Sequence, residues 1–128
     1  MHRWIGFAAV NGLIGVLAGA LGTHVLAGQI GPKGLEWLAT AERYQLWHAL
    51  ALILVALLAR QDAPGRGQRW LDAAGYAFAT GIVLFSGSLY VLALTGWRPV
   101  AMLTPLGGLA LMAGWAALAG HAVFGRAR

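Results

Sequence analysis

Four long apolar runs decide what this chain can fold into. The first extends from Trp4 to about Ala27 with no charge and a single amide, Asn11. The others cover approximately 41–59, 71–94 and 102–124. Each holds about 20 residues, and at ~1.5 Å rise per residue a helix of that length crosses a ~30 Å hydrocarbon core. Membrane strands alternate in hydrophobicity, whereas these runs are continuous and rich in Ala, Leu and Gly, so helices are expected. Only 10% of the residues are charged, against roughly 25% in soluble domains. The expected fold is therefore all-α, an integral membrane four-helix bundle, with residues 1–128 forming a single membrane domain and helices at approximately 4–27, 41–59, 71–94 and 102–124. The first run follows Arg3 as a signal peptide would, but it is long and carries Gly12, Gly15, Gly19 and Gly22 through its centre. That pattern suits a retained, packed helix.

The same composition removes several function classes. Cysteine is absent, which excludes disulfides, thiolate metal sites and cysteine nucleophiles. The net charge of +5 comes from basic residues scattered singly or in pairs between apolar runs. They flank membrane spans and form no stripe for a nucleic acid, so the lipid bilayer is the expected partner. FSGSLY lacks the nucleophile elbow of hydrolases, no Asp beyond Asp72, at the very start of the third run, lies in a run to orient a His, and GPKG is too short for a phosphate loop. The chain is expected not to be an enzyme and to need no cofactor.

Four spans place both termini and the RQDAPGRGQRW turn (residues 60–70) on one side. That side carries Arg3, Arg60, Arg66, Arg69, Arg126 and Arg128, and the opposite side Lys33, Arg43 and Arg98. By the positive-inside rule both termini are expected in the cytoplasm, with the chain a multi-pass protein of the plasma membrane. Trp4, Trp37, Trp70 and Trp97 fall near span ends, as interfacial anchors do. A loop over residues 28–40 is expected on the far side, with a short interfacial helix around Leu35–Ala39. Thr104 followed by Pro105 resembles a helix cap, while Pro99 permits an earlier start; both beginnings of the fourth helix stay open.

Lipid offers helices no hydrophobic reason to associate, so contact relies on small residues. Ala8, Gly12, Gly15, Gly19 and Gly22 make one smooth stripe on the first span. Gly107, Gly114 and His121 make another on the fourth, and Gly75, Ala79, Val83, Ser86, Tyr90 and Ala93 share a face of the third. The reverse faces are leucine-rich and point to lipid.

Threading this topology gathers polar residues in the outer half of the bundle: His24, Tyr44, Gln45, His48, Ser86, Ser88, Tyr90 and Thr104, with Glu42 near the headgroups. Asn11 and His121 lie toward the cytoplasmic side. Tyr44, Gln45 and His48 share one helix face, and Ser86 and Tyr90 another. Polar groups at membrane depth are costly and point to function, but each also has a structural use. Serines can bond the carbonyl one turn back, tyrosines can belong to the interfacial belt, and histidines can satisfy a hydroxyl or carbonyl. His24 and His48 with Glu42 would supply three ligands to a divalent ion, though no paired metal motif accompanies them.

GALGTHVL (19–26), YQLWHAL (44–50), FSGSLY (85–90) and TPLGG (104–108) occur in that order. In this the chain resembles the bacterial inner-membrane proteins of domain of unknown function 423. Family members typically read GAHGL in the first motif; here Thr23 and Val25 flank His24. The resemblance covers essentially the whole chain. It implies a four-helix membrane protein without an established activity, and it marks Gly87, Pro105, Gly107 and Gly108 beside the polar positions above.

Two functions compete at this point. In one, the eight polar residues line a pocket open to the outer leaflet that binds a small solute, an ion or a lipid headgroup, as a transporter or channel component. Four short helices leave little room for a pore, so transport would call for a homo-oligomer. A proton-coupled site at His24 and His48 is a variant of this reading. In the other, the polar groups only lock the helices together, and the apolar face docks on a larger membrane partner.

Overall fold

The computed structural model describes residues 2–125; Arg126 and Arg128, counted above toward the expected cytoplasmic charge, lie outside them. Four helical spans, His2–Leu26, Gly31–Gln61, Arg66–Thr95 and Arg98–Phe124, are long and apolar enough to cross a membrane, and no strand occurs among the described residues. The first span is α-helical over His2–Leu21 and closes in a π turn, Gly22–Leu26. The third is α-helical over Arg66–Gly81, passes through a second π turn, Ile82–Ser86, and resumes as Gly87–Thr95. The fourth opens with a 3-10 segment, Arg98–Met102, before the α-helix Leu103–Phe124.

The second span departs most from expectation. Instead of a loop over 28–40, one unbroken α-helix begins at Gly31 and carries Leu35–Ala39 within it. Gly31 adopts a positive φ of 69°, and Pro32 is in the first turn, where its missing N–H costs nothing. The resulting 31-residue helix is about 46 Å long, well beyond the hydrocarbon thickness. Its early turns pack against the third span, where Gly34 approaches the Ala93 carbonyl. Trp37 packs beside Val100 and Leu92. At the start of the fourth span the 3-10 segment begins at Pro99's neighbour Arg98, and Thr104 lies inside the α-helix rather than capping it. Gly96, at φ 69°, ends the third span in the left-handed conformation that glycine tolerates best.

The first span packs mainly on the second, and the fourth mainly on the third, while the second and third also meet along their length. The main core holds Leu52, Val55, Leu71, Phe78, Ile82 and Leu111. Small residues set the seams. Gly114 receives the Phe78 ring, Gly120 the Trp70 indole and Gly15 the Leu46 side chain. Gly107 is the tightest: a Cβ there would collide with the backbone of Leu84 and Phe85, not with a movable side chain. Val83, placed on the packed face by spacing, sits in the π turn and is 58% exposed. Trp4 is no belt residue but a core one, 5% exposed and edge-on to Tyr76 with ring centroids 4.9 Å apart.

Polar contacts tie the end that holds the 62–65 turn. Arg3 donates to the Tyr76 hydroxyl at 2.9 Å and lies 3.6 Å from Asp72. His121 approaches the Gly67 carbonyl at 3.3 Å and Asp62 at 3.5 Å.

Gly107→Ala should force the third and fourth spans apart and lower stability by about 1–3 kcal/mol. Gly87→Ala, where an added Cβ meets nothing within 4 Å, should be neutral or slightly stabilising. Thermal unfolding of both variants in the same detergent checks the contrast.

Candidate functional site

Gln45 occupies the middle of the second span, 3% exposed, and its carboxamide is bonded on both sides. Its Nε2 donates to Asn11 Oδ1 on the first span at 2.9 Å. Its Oε1 accepts from the Tyr90 hydroxyl on the third span at 2.6 Å. Asn11 in turn donates through Nδ2 to the Phe7 carbonyl at 2.8 Å. The line Phe7–Asn11–Gln45–Tyr90 thus joins three spans through side chains, with the amide orientations set by the partners.

A second cluster joins the second, third and fourth spans. Ser86 Oγ donates to the Ala41 carbonyl on the second span at 2.7 Å, so this serine bonds across helices rather than to its own preceding turn. Ser88 bonds the Phe85 carbonyl at 2.9 Å and the Thr104 hydroxyl at 2.5 Å. His48 faces the third and fourth spans: its Nδ1 meets the Tyr44 carbonyl at 2.7 Å and its Nε2 meets the indole N–H of Trp115 at 3.1 Å. A carbonyl can only accept and an indole can only donate. The imidazole must therefore be neutral with its proton on Nδ1, and both nitrogens are engaged. Phe78 packs against the same ring, with centroids 5.6 Å apart.

Of the eight residues proposed from sequence, Gln45, His48, Ser86, Ser88, Tyr90 and Thr104 thus lie in these two clusters. Tyr44 contributes its carbonyl and its ring, which stacks on His48 and lies tilted against Phe85, but its side chain stands on the outer surface at 41% exposure. His24 lies on the π turn of the first span, exposed, and shares no hydrogen bond with His48, whose two ring nitrogens are taken by Tyr44 and Trp115. Glu42 is half-buried, with its carboxylate directly over Gly19. Among the described residues no group of three or more His, Cys, Asp and Glu is placed to hold a metal, so the His24, His48 and Glu42 set is not assembled.

Two members of the network are not evident from sequence. Topology sets Asn11 apart from the polar end, although a lone amide in an otherwise uncharged apolar run is itself a signal that a partner exists across the helix. Trp115 reads as one more lipid-facing aromatic, and nothing in its spacing reveals that its N–H turns inward. Among the described residues every buried side-chain nitrogen and oxygen has a hydrogen-bond partner. The recesses on the surface are mostly apolar grooves between side chains; one of about 690 Å³ lies between Trp37, Phe85 and Met112.

The chain is similar to known membrane proteins along most of its length. The profile of the family described as "Protein of unknown function (DUF423)" matches residues 18–108. The UPF0382 inner membrane protein YgdD of Escherichia coli K12 is 42% identical over 110 residues, covering 86% of this chain and 81% of its own. The UPF0382 membrane protein YwdK of Bacillus subtilis is 42% identical over 115 residues, covering 90% and 91%. No solved structure matches the chain significantly. The family is uncharacterised and carries no enzymatic name. With four spanning helices and relatives of this closeness, the chain is a multi-pass inner-membrane protein and belongs to the DUF423 family.

Proposed function

We propose that this protein is a structural or assembly component of the inner membrane rather than an enzyme, its polar residues serving to hold four helices in one register. One observation carries this reading: the buried polar atoms satisfy one another, and His48 has neither a free lone pair nor a free proton to offer a ligand. Interhelical hydrogen bonds in membranes contribute about 0.6–2 kcal/mol each, enough in sum to specify a bundle. A fixed bundle presents a fixed outer surface, and the leucine-rich faces are then the means by which the protein docks on a larger membrane partner. Both termini are assigned to the cytoplasm on the distribution of arginines.

A second reading, in which the same cluster opens to admit a small solute or ion, draws on the two π turns. Such turns recur at functional sites and leave the backbone ladder locally altered. Here they sit at Gly22–Leu26 and at Ile82–Ser86, the second of them carrying Ser86 of the polar cluster. A transporter or channel component built this way would act as an oligomer.

Locking and binding give different outcomes on substitution. Gln45→Leu should cost about 1–3 kcal/mol, because it leaves Asn11 and Tyr90 without their partner. Tyr90→Phe should cost about 1 kcal/mol, and the pair should couple by roughly 0.6–1.7 kcal/mol in a double-mutant cycle read from unfolding in detergent. Trp115→Phe should likewise destabilise by about 1 kcal/mol. A ligand-linked shift in melting temperature that vanishes in His48→Ala, with the fold intact, would favour the pocket instead. Crosslinking in the native membrane should recover one consistent larger partner; recovery of self-adducts alone counts against the assembly role.

A further inference from the structure

Glu42 and Arg43 form no hydrogen bond to either polar cluster, although Glu42 lies within electrostatic range of Tyr90. They are adjacent charges at the start of the apolar stretch of the second span, where the sequence reading puts the headgroup boundary. Among the described residues neither takes part in a hydrogen bond or ion pair, with each other or with any other group. Their positions are also asymmetric. Glu42 is half-buried at the seam between the first and second spans, its carboxylate lying on Gly19, whose missing side chain makes room for it. Arg43 is exposed on the outer face. Successive residues on a helix point about 100° apart, so the two charges diverge around the outer wall of that seam.

Grooves flank the pair on both sides. One of about 320 Å³ runs along the seam past Gly19, Gly22, Thr23 and Leu38 and ends at Glu42. The other, about 440 Å³, runs from Ala39, Glu42 and Arg43 down over Leu46, Trp47 and Leu50. Ala39 and Glu42 line both. Trp47 is 64% exposed and lies about 6 Å deeper along the helix than Arg43.

We infer that this trough binds a phospholipid with a primary-ammonium headgroup. The occupant must offer a cation with N–H donors to the carboxylate, an anion within one headgroup's length for the guanidinium, and a hydrocarbon tail for the apolar floor below. A zwitterionic phosphoethanolamine lipid has all three in that order. The ammonium donates to Glu42, the phosphate oxygens accept from Arg43, and an acyl chain lies along Leu46, Trp47 and Leu50. A phosphoglycerol headgroup brings no cation and meets the Glu42 carboxylate with like charge. A quaternary choline has no N–H to donate and is too bulky to approach a carboxylate seated against a glycine. This site shares no hydrogen bond with the polar clusters and stands whether those clusters lock or bind.

Native mass spectrometry of the full chain in detergent, with equimolar phosphatidylethanolamine, phosphatidylglycerol and phosphatidylcholine, tests it. The wild type should retain phosphatidylethanolamine over phosphatidylglycerol by about fivefold, which corresponds to roughly 1 kcal/mol. Glu42→Gln should abolish that preference, and Ala39→Phe, which fills the trough and keeps both charges, should reduce retention of phosphatidylethanolamine comparably. Circular dichroism and melting temperature establish that each variant is folded; if Glu42→Gln is not, Ala39→Phe decides. Equal retention of the three lipids by the wild type, an unchanged preference in the folded variants, or a lipid-free dimer would overturn the proposal.

Discussion

The carboxamide of Gln45 is the point on which the bundle's register turns. An amide buried in an apolar helix must find both an acceptor and a donor, because hydrocarbon supplies neither. Here it finds Asn11 on one side and Tyr90 on the other. Sliding the first or third span by one turn, about 5.4 Å, would break one of these bonds and bury both unsatisfied ends. Dispersion between leucines would hardly distinguish one register from the next; the amide does. The cluster of Ser86, Ser88, Thr104 and His48 extends that constraint to the fourth span, again by bonds that cross between helices.

Glycine makes those bonds reachable. A hydroxyl on one helix can meet a carbonyl on another only if the backbones approach closely, and Ser86 bonds the Ala41 carbonyl directly. Gly107 brings the fourth span against the backbone of Phe85, close to Ser88, which bonds Thr104. Shape and polarity are thus complementary: the small residues set how near two helices come, and the polar residues set where along their length they meet.

Most of this architecture is legible in the sequence, because the bilayer leaves helices as the only answer to long apolar runs. The inward turn of Gln45, Ser86 and Tyr90 is legible too, from spacing. The rest is held in geometry between helices. Nothing local distinguishes the Trp115 indole from those anchored in lipid, and Asn11 looks misplaced only while its partner is unknown. The segment GPKGLEW reads as a loop by composition. It becomes helix because the third span and the 3-10 segment offer its Trp37 and Gly34 a surface. His24 draws attention as an imidazole at membrane depth, yet its place on a π turn leaves it outside the cluster.

The π turn at Ile82–Ser86 has a meaning for how such a chain can change over time. A π turn accommodates one residue more than an α-helix of the same rise, and each added residue rotates the downstream helix by about 100°. Everything beyond it in the third span, including Ser88 and Tyr90, owes its bearing to that extra residue. Losing a single residue there would leave a longer, more regular helix that points those hydroxyls away from Thr104 and Gln45. In this segment point substitutions are therefore the gentler kind of drift, and one-residue deletions the kind that dissolves the bundle while sparing the helix.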